Sequence, residues 1–173
     1  MRYSGLFRLV IALQLAVMPP LLGQGVRSAS GPARAWVTVG LGGGNAGSGG
    51  FAGAAGFDVL SQHHLLSLRA TTVSVLFDDD FWDVGLLYGR TLLPSRGLVA
   101  ASGDLALMGG QRCGGFLGST CNTVRARVGV PVAVRAAWNA TRYFGIGIYT
   151  FADINGEQSF AGAALTIQLG RVR

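Results

Sequence analysis

The sequence predicts an all-β chain: an eight-stranded antiparallel up-and-down barrel that follows a signal peptide. Three observations lead to this prediction. The length of 173 residues suits one domain. The chain carries 28 glycines, and glycine in such abundance disfavours helices. Beyond residue 35, apolar residues alternate with small or polar ones, which is the period of a half-buried strand.

The N-terminus has the order of a secretory signal. Arg2 and Arg8 accompany the apolar run "LVIALQLAVMPPLL", and small residues follow in "SAS" and "ARA". We expect a signal peptide at residues 1–30, with residue 35 as the latest cleavage position, and the barrel at residues 36–173. An N-terminal anchor helix is the alternative. No later apolar run reaches the roughly 18 residues of a transmembrane helix.

Eight alternating segments make up the rest of the chain. At about ten residues, their typical length is the one that crosses a bilayer at a tilt of roughly 45°. Their connections predict short turns at one end of the barrel and the two longest loops at the other, as in outer-membrane barrels. The segments are residues 35–42, 51–59, 65–75, 82–91, 98–107, 124–135, 143–149 and 161–169.

A glycine-rich stretch, residues 40–50, separates the first two segments. Gly42, Gly44 and Gly47 have the G-x-G-x-x-G spacing of a dinucleotide-binding loop. Such a loop opens a helix and is followed about 20 residues later by an acidic residue. Here a second alternating segment follows, and the first carboxylate, Asp58, comes too early. We therefore predict that the stretch forms the first hairpin at the outer end.

The composition of the two strand faces favours a transmembrane barrel. The face of a soluble barrel that meets water should carry many Lys, Glu, Gln and Thr residues. Here the mixed face is mostly Gly, Ala and Ser, which suits the narrow interior of an eight-stranded barrel that side chains must fill. The opposite face is apolar and nearly free of charge, as a lipid-facing surface must be.

Charges of both signs are predicted on the interior face. Buried ions need opposite charges and hydrogen bonds, and four of each sign permit full pairing. We expect an Arg–Asp network that fills the interior and leaves no open water channel. Asp153 and Arg135 could instead lie in water at strand ends. By strand parity the network comprises Asp58, Arg69, Asp83, Asp104, Arg125, Arg127, Arg135 and Asp153.

Aromatic residues concentrate near the ends of the alternating segments. This distribution is typical of the aromatic girdles at the two membrane interfaces. The predicted girdle residues are Trp36, Phe77, Phe81, Trp82, Trp138, Tyr143 and Phe144.

The remaining reactive residues predict a disulfide and no catalytic or metal site. Cys113 and Cys121 are the only cysteines, and in an exported chain they are expected to form a disulfide within the longest outer loop. His63 and His64 fall in a turn at the opposite end, without partners at metal-ligand or catalytic spacing. The aspartates at 78–80 are expected to be solvated. We expect no cofactor.

With these features the chain resembles the small eight-stranded outer-membrane β-barrel proteins, which are typified by the membrane domain of outer-membrane protein A. It looks most like the uncharacterised outer-membrane β-barrel domain proteins of Gram-negative bacteria. The resemblance lies in the signal, in "WDVGLLYGRT" and in "VGVPVAVRAAWNATRYFGIGIYTFADINGEQSFAGAALTIQLGRVR". It implies a monomer in the outer membrane, in contact with membrane lipid, lipopolysaccharide and the barrel insertion machinery. The chain departs from the pattern by ending in Gly-Arg-Val-Arg, where many such barrels end in an aromatic residue.

These features predict a structural or interaction role and no enzymatic activity. Without the signal, 11 arginines face 8 acidic residues, so the charge does not indicate a nucleic-acid partner. One alternative is a soluble exported lipocalin-like barrel that binds a small apolar ligand. A second is a narrow channel or a barrel enzyme that acts on lipid, although the sequence offers no convincing nucleophile and base at the outer end.

Overall fold

The computed structural model of the protein describes residues 33–75, 79–92, 97–114, 120–156 and 158–173. The expected signal peptide lies outside these residues. Within them, no helix is long and apolar enough to cross a membrane. The eight strands are β1 (Arg34–Asn45), β2 (Gly49–Ser61), β3 (His64–Ser74), β4 (Asp80–Leu92), β5 (Gly97–Gly114), β6 (Thr120–Asn139), β7 (Phe144–Ile154) and β8 (Phe160–Gly170).

The strands form one closed antiparallel barrel in sequence order. Each strand pairs with its neighbours in the chain, and β1 pairs with β8 from Trp36 opposite Gly170 to Asn45 opposite Ala161. The predicted all-β, eight-stranded up-and-down architecture is therefore confirmed. β1 begins at Arg34, two residues before the expected start of the barrel.

The two ends of the barrel differ. One end, here called the turn end, holds the start of β1, the end of β8 and the turns at residues 62–63 and 140–143. The opposite end, here called the loop end, holds the ends of β1, β3, β5 and β7. The glycine-rich stretch forms a three-residue turn there, in which Gly47 has a φ of 111°. The Gly47 amide donates to Asn45 Oδ1 at 3.0 Å.

Side chains alternate between the interior and the outer surface along the strands. On β3, for example, Leu66 and Leu68 are exposed, whereas Ser67 and Arg69 between them are buried. Every strand carries large apolar side chains on its exposed face, up to Leu41 at 79% exposure. The valine and leucine faces therefore point outward and the sparse polar residues point inward, as the sequence predicts.

Two irregularities interrupt the pairing of β5 with β6. Met108 lies opposite Arg127 but Gly110 lies opposite Val124, so β6 has one extra residue at this point, which is a β-bulge. Nearer the turn end, pairing is interrupted between Gly103 and Ala106, beside Pro131. Proline has no N–H to donate to a strand ladder, which explains a break at this position.

Candidate functional site

The interior of the barrel is the best-defined polar site of the chain, and Arg69 on β3 lies at its centre. Its Nη2 atom lies 3.0 Å from Asp83 Oδ2 on the neighbouring β4 and 2.7 Å from Asp153 Oδ1 on β7. Its Nη1 atom donates to the hydroxyl of Tyr149 at 2.8 Å. Thr71 also donates to Asp83. One guanidinium therefore ties together side chains from non-adjacent strands.

A third ion pair crosses the interior between β6 and β2. Arg135 Nη1 lies 2.6 Å from Asp58 Oδ2, and both side chains are buried. The same carboxylate oxygen accepts the Thr38 hydroxyl at 2.6 Å, and the other oxygen accepts the Ser67 hydroxyl. Asp58 is thus held by one charged and two neutral donors, which is the satisfaction that a buried carboxylate needs.

Tyr149 on β7 connects the ion pairs of Arg69 with the ion pair of Arg135. Its hydroxyl accepts from Arg69, while the Arg135 guanidinium carbon lies 5.2 Å from the centroid of its ring. Arg69 likewise lies over the Phe151 ring at 5.7 Å. Both distances are within the range of cation–π attraction, which is stronger for a desolvated cation. The five buried charges and these rings form one connected cluster, here called the central cluster.

Apolar side chains lie on both sides of the central cluster. At the loop end, the ring of Phe160 contacts those of Phe81 and Phe151, with centroid distances of 6.5 and 6.3 Å. At the turn end, Trp36, Leu60, Leu65, Leu98, Ala100 and Val172 form a second buried group. Among the described residues, the charged layer therefore lies between these two apolar groups.

The last described residues fold over the turn end. Gly170 adopts a φ of 131°, which favours glycine, and the chain turns there. The Arg171 amide then donates to the Ala35 carbonyl at 2.8 Å and the Val172 amide to the Arg142 carbonyl at 3.1 Å. The Asn139 side chain holds the Val172 carbonyl at 3.2 Å. Val172 thereby becomes part of the apolar layer.

The structure brings together five of the eight residues that the sequence assigns to the interior network. Asp58, Arg69, Asp83, Arg135 and Asp153 are all buried, and each takes part in an ion pair. Asp153 and Arg135 therefore do not lie in water at strand ends, which was the alternative prediction for these two residues.

The other three assigned residues, Asp104, Arg125 and Arg127, are exposed, so their assignment to the interior is wrong. Because of the bulge, the residues of β6 that precede Arg127 in the chain face the opposite side from the one that strict alternation predicts. Val124 therefore packs against the buried apolar residues of the interior, and Arg125 does not. Arg127 lies beyond the last pairing of β6 with β7, at Val130, where the closed barrel has ended.

Asp104 is exposed for a different reason. It lies in the segment of β5 where pairing with β6 is interrupted beside Pro131. Leu105, the next residue, is 59% exposed, so two consecutive residues are exposed where strict alternation predicts one. The alternation of the sequence does not reveal this local break.

Four neutral residues that hydrogen-bond to the buried charges are absent from the sequence-based predictions: Thr38, Ser67, Thr71 and Tyr149. The signal that could have found them is their cross-strand position: Ser67 lies opposite Asp58, and Thr71 lies opposite Asp83. Gln168 is also fully buried, and neither atom of its amide has a hydrogen-bond partner among the described residues.

The aromatic residues divide between the two faces. Trp82, Trp138 and Tyr143 are exposed on the outer surface, as expected for interfacial girdles. Trp36 and Phe81 are buried in the interior at 2% and 1% exposure, so their assignment to a girdle is wrong. In the alternation along their strands, both occupy positions that point to the interior. A position near a strand end does not change the direction in which the side chain points. Phe77 lies outside the described residues.

The β5–β6 hairpin carries both cysteines. Cys113 and Cys121 are directly opposite in the strand register, and their Sγ atoms lie 2.08 Å apart in a disulfide. The Cys113 amide donates to Asp79 Oδ1 at 3.2 Å. β5 and β6 have 18 and 20 residues, the longest strands described, and the disulfide joins them at the loop end.

The histidines lie at the turn end. His63 is in the turn and His64 begins β3, where its ring contacts the Tyr88 hydroxyl on the outer surface. Among the described residues, no group of three His, Cys, Asp or Glu side chains is arranged to hold a metal ion.

Comparison with known proteins identifies the fold. Neisserial surface protein A superposes with a TM-score of 0.64 over 82% of this chain and 99% of that chain, at 7% identity. The N-terminal β-barrel domain of Pseudomonas aeruginosa OprF gives 0.57, with 79% and 96% covered at 9% identity. Ail, the attachment invasion locus protein of Yersinia pestis, gives 0.54, with 81% and 99% covered at 10% identity. The chain has the fold of the small eight-stranded outer-membrane β-barrels.

This likeness is one of fold and not of sequence. No protein-family model matches the chain, and the curated proteins include no match. Ail has also been solved in complex with the heparin analogue sucrose octasulfate. The predicted resemblance to small outer-membrane barrels is confirmed at the level of the fold.

Proposed function

We propose that the chain is an outer-membrane β-barrel of a Gram-negative bacterium with a structural or interaction role and a closed interior. The observation that carries the proposal is the outer surface, because all eight strands expose large apolar side chains there while the charged residues of the central cluster are buried. Soluble proteins rarely expose such continuous apolar patches. Hydrocarbon is the solvent that suits this surface, with the turn end toward the periplasm.

A soluble barrel that binds an apolar ligand fits the structure poorly. Such a barrel needs a water-compatible exterior and an apolar interior with room for the ligand. In this chain the two are reversed, because leucine, valine and isoleucine side chains face outward and three ion pairs of the described residues occupy the interior. The distribution of side chains therefore supports the membrane barrel over this alternative.

We propose further that the barrel neither conducts ions nor catalyses a reaction on lipid. The central cluster is connected from wall to wall, and apolar layers enclose it on both sides. The only histidines lie at the turn end, and His64 contacts a tyrosine. No histidine lies at the loop end, and the described carboxylates there, Asp79 and Asp80, accept hydrogen bonds from the Cys113 amide and from the Thr72 and Ser74 hydroxyls.

The β5–β6 hairpin is the proposed contact element. It is the longest hairpin described, it carries the disulfide, and it exposes Arg112, Arg125 and Arg127 near the loop end. The complex of Ail with sucrose octasulfate shows that a barrel of this fold can present a surface to a polyanion. For this chain we propose that the hairpin contacts external partners, including lipopolysaccharide, and that the barrel is a monomer inserted by the barrel insertion machinery.

Two measurements on the mature chain test the proposal. The folded protein should require detergent for solubility, and it should migrate faster on a cold gel than after boiling. In planar bilayers it should show no resolved single-channel conductance. A compact monomer that stays soluble without detergent would contradict the membrane assignment, and stable conductance steps would contradict the closed interior.

A further inference from the structure

The charges at the two ends of the barrel are distributed unequally. Within the described part of the chain, the turn end carries five arginines and no aspartate or glutamate. Of the six described carboxylate side chains, three are buried in the central cluster, Asp79 and Asp80 lie at the loop end, and Asp104 lies within β5. The turn-end arginines, here called the arginine rim, are Arg34, Arg90, Arg142, Arg171 and Arg173.

The arginine rim adjoins the apolar outer surface. On β3 and β4 the exposed pair of Leu68 and Leu86 is followed toward the turn end by Leu66 opposite Tyr88, and then by His64 opposite Arg90. The order from apolar to aromatic to basic is the one found where a membrane protein passes from hydrocarbon to headgroups.

The same order recurs on another side of the barrel. Trp138 near the end of β6 is 52% exposed, and Arg142 and Tyr143 follow in the turn. Arg34 begins β1, and Arg171 and Arg173 follow β8, so the basic residues are spread around the end of the barrel. A small soluble anion would require side chains that converge on one point. A planar anionic surface suits a spread ring.

We propose that the arginine rim binds the phosphate groups of anionic phospholipids in the leaflet that the turn end faces. This inference rests on the proposed membrane function and specifies the lipid class involved. Guanidinium groups match phosphate oxygens in bidentate geometry. A basic residue near an anionic lipid surface contributes enough to change affinity by about fivefold. Two rim arginines together therefore account for a change of more than about tenfold.

The test uses the full mature chain, folded in zwitterionic detergent and confirmed by its heat-modifiable migration. Native mass spectrometry would measure the binding of phosphatidylglycerol and of phosphatidylcholine. We expect phosphatidylglycerol to bind at least about tenfold more tightly. The double variant Arg90→Gln with Arg142→Gln should lose most of this preference. The matched loop-end variant Arg112→Gln with Arg125→Gln, with the same loss of charge, should keep it.

The outcomes separate this inference from the proposed function. Equal affinity for the two lipids in a folded, detergent-dependent barrel would overturn the inference and leave the function intact. Equal losses in the two double variants would also overturn it. Displacement of phosphatidylglycerol by millimolar inorganic phosphate would point to a small-anion site, and binding of peptidoglycan fragments without the lipid would assign the rim to the cell wall. Failure to form a detergent-dependent barrel would overturn the function itself.

Discussion

Arg69 is the residue on which the interior depends most. It is the ion-pair partner of both Asp83 and Asp153, at 3.0 and 2.7 Å, and all three side chains are at most 2% exposed. We expect Arg69→Met to lower the free energy of unfolding by about 3–5 kcal/mol, because it leaves two buried carboxylates without their cation. Urea titration of the protein refolded in lipid vesicles would measure this loss.

The control is an arginine outside the interior. Arg125 is exposed near the loop end of β6, so Arg125→Met should change the free energy of unfolding by no more than about 0.5 kcal/mol. Similar effects of the two substitutions would contradict the assignment of Arg69 to a buried ion-pair cluster.

A substitution at Ile148 tests whether hydrocarbon surrounds the outer surface. It lies near the middle of β7 with 53% of its side chain exposed, on the face assigned to hydrocarbon. Ile148→Arg should cost about 2–4 kcal/mol in vesicles, as arginine does at the bilayer midplane. Ser61→Arg, at an exposed site at the turn end of β2, should cost at most about 1 kcal/mol. Equal costs at the two depths in the same urea titration would show that no depth-dependent hydrocarbon surrounds the barrel.

The sequence largely predicts which side chains face the interior and which face outward. The residues that depart from this prediction do so for physical reasons. Trp36 shares its parity with the buried Thr38, and Phe81 with the buried Asp83, so alternation alone places both inside. Their assignment to a girdle failed because it relied on position along the strand. Alternation wrongly places Asp104 in the interior, because the break in β5–β6 pairing beside Pro131 exposes it.

At the scale of strands, Gly42 marks a close approach of β1 and β8. A Cβ atom at this position would lie 1.9 Å from the Ala163 carbonyl oxygen and 2.7 Å from Ala164 Cα. Because both contacts are with backbone, Gly42→Ala should destabilise the barrel by about 1–3 kcal/mol. Gly49→Ala, where no atom lies within 4 Å, should be neutral or slightly stabilising. Unfolding in urea distinguishes the two, and a neutral Gly42→Ala would contradict this β1–β8 register.

The disulfide is a local constraint on the β5–β6 hairpin. The cysteines are eight residues apart and lie at the loop end, beyond the pairing of β6 with β7. The double variant Cys113→Ser with Cys121→Ser should open the hairpin locally, since short exposed segments unfold independently of the core. Trypsin should then cut after Arg112 and Arg125 faster, while the cold-gel migration of the barrel stays unchanged.

Chemical reduction of the native chain provides the matched comparison. Dithiothreitol should accelerate the same tryptic cleavages without any substitution. Unchanged cleavage rates after either treatment would contradict a role of the disulfide in holding the hairpin closed. Loss of the fast-migrating form would instead make the disulfide a determinant of the whole barrel.

The strands themselves could be predicted because apolar residues alternate with small or polar residues along each of them. The valines of β6 illustrate the limit of this signal. Their regular spacing from Val124 to Val134 indicates a single uniform strand, yet the extra residue between Arg127 and Val124 reverses the faces. A bulge depends on the neighbouring strand as much as on its own sequence, so Arg125 was assigned to the wrong side.

At the scale of the whole molecule, the barrel resembles a soluble protein turned inside out. Charges pair in the interior, apolar layers enclose them, and the outer surface is apolar between its two ends. The composition of the two faces predicted this arrangement, because a narrow interior accepts small residues and few charges. The choice of which five charges meet there depended on register and on the bulge, which the sequence does not display.

The three tryptophans offer the most direct measurement of the central claim, that hydrocarbon surrounds the outer surface. Single-tryptophan variants, with the other two replaced by phenylalanine, would be folded into vesicles containing lipids with brominated acyl chains. Trp82 and Trp138 are 41% and 52% exposed on the outer surface, whereas Trp36 is 2% exposed in the interior. We predict strong fluorescence quenching of Trp82 and Trp138 and weak quenching of Trp36. Equal quenching of all three, or quenching of none, would contradict the account.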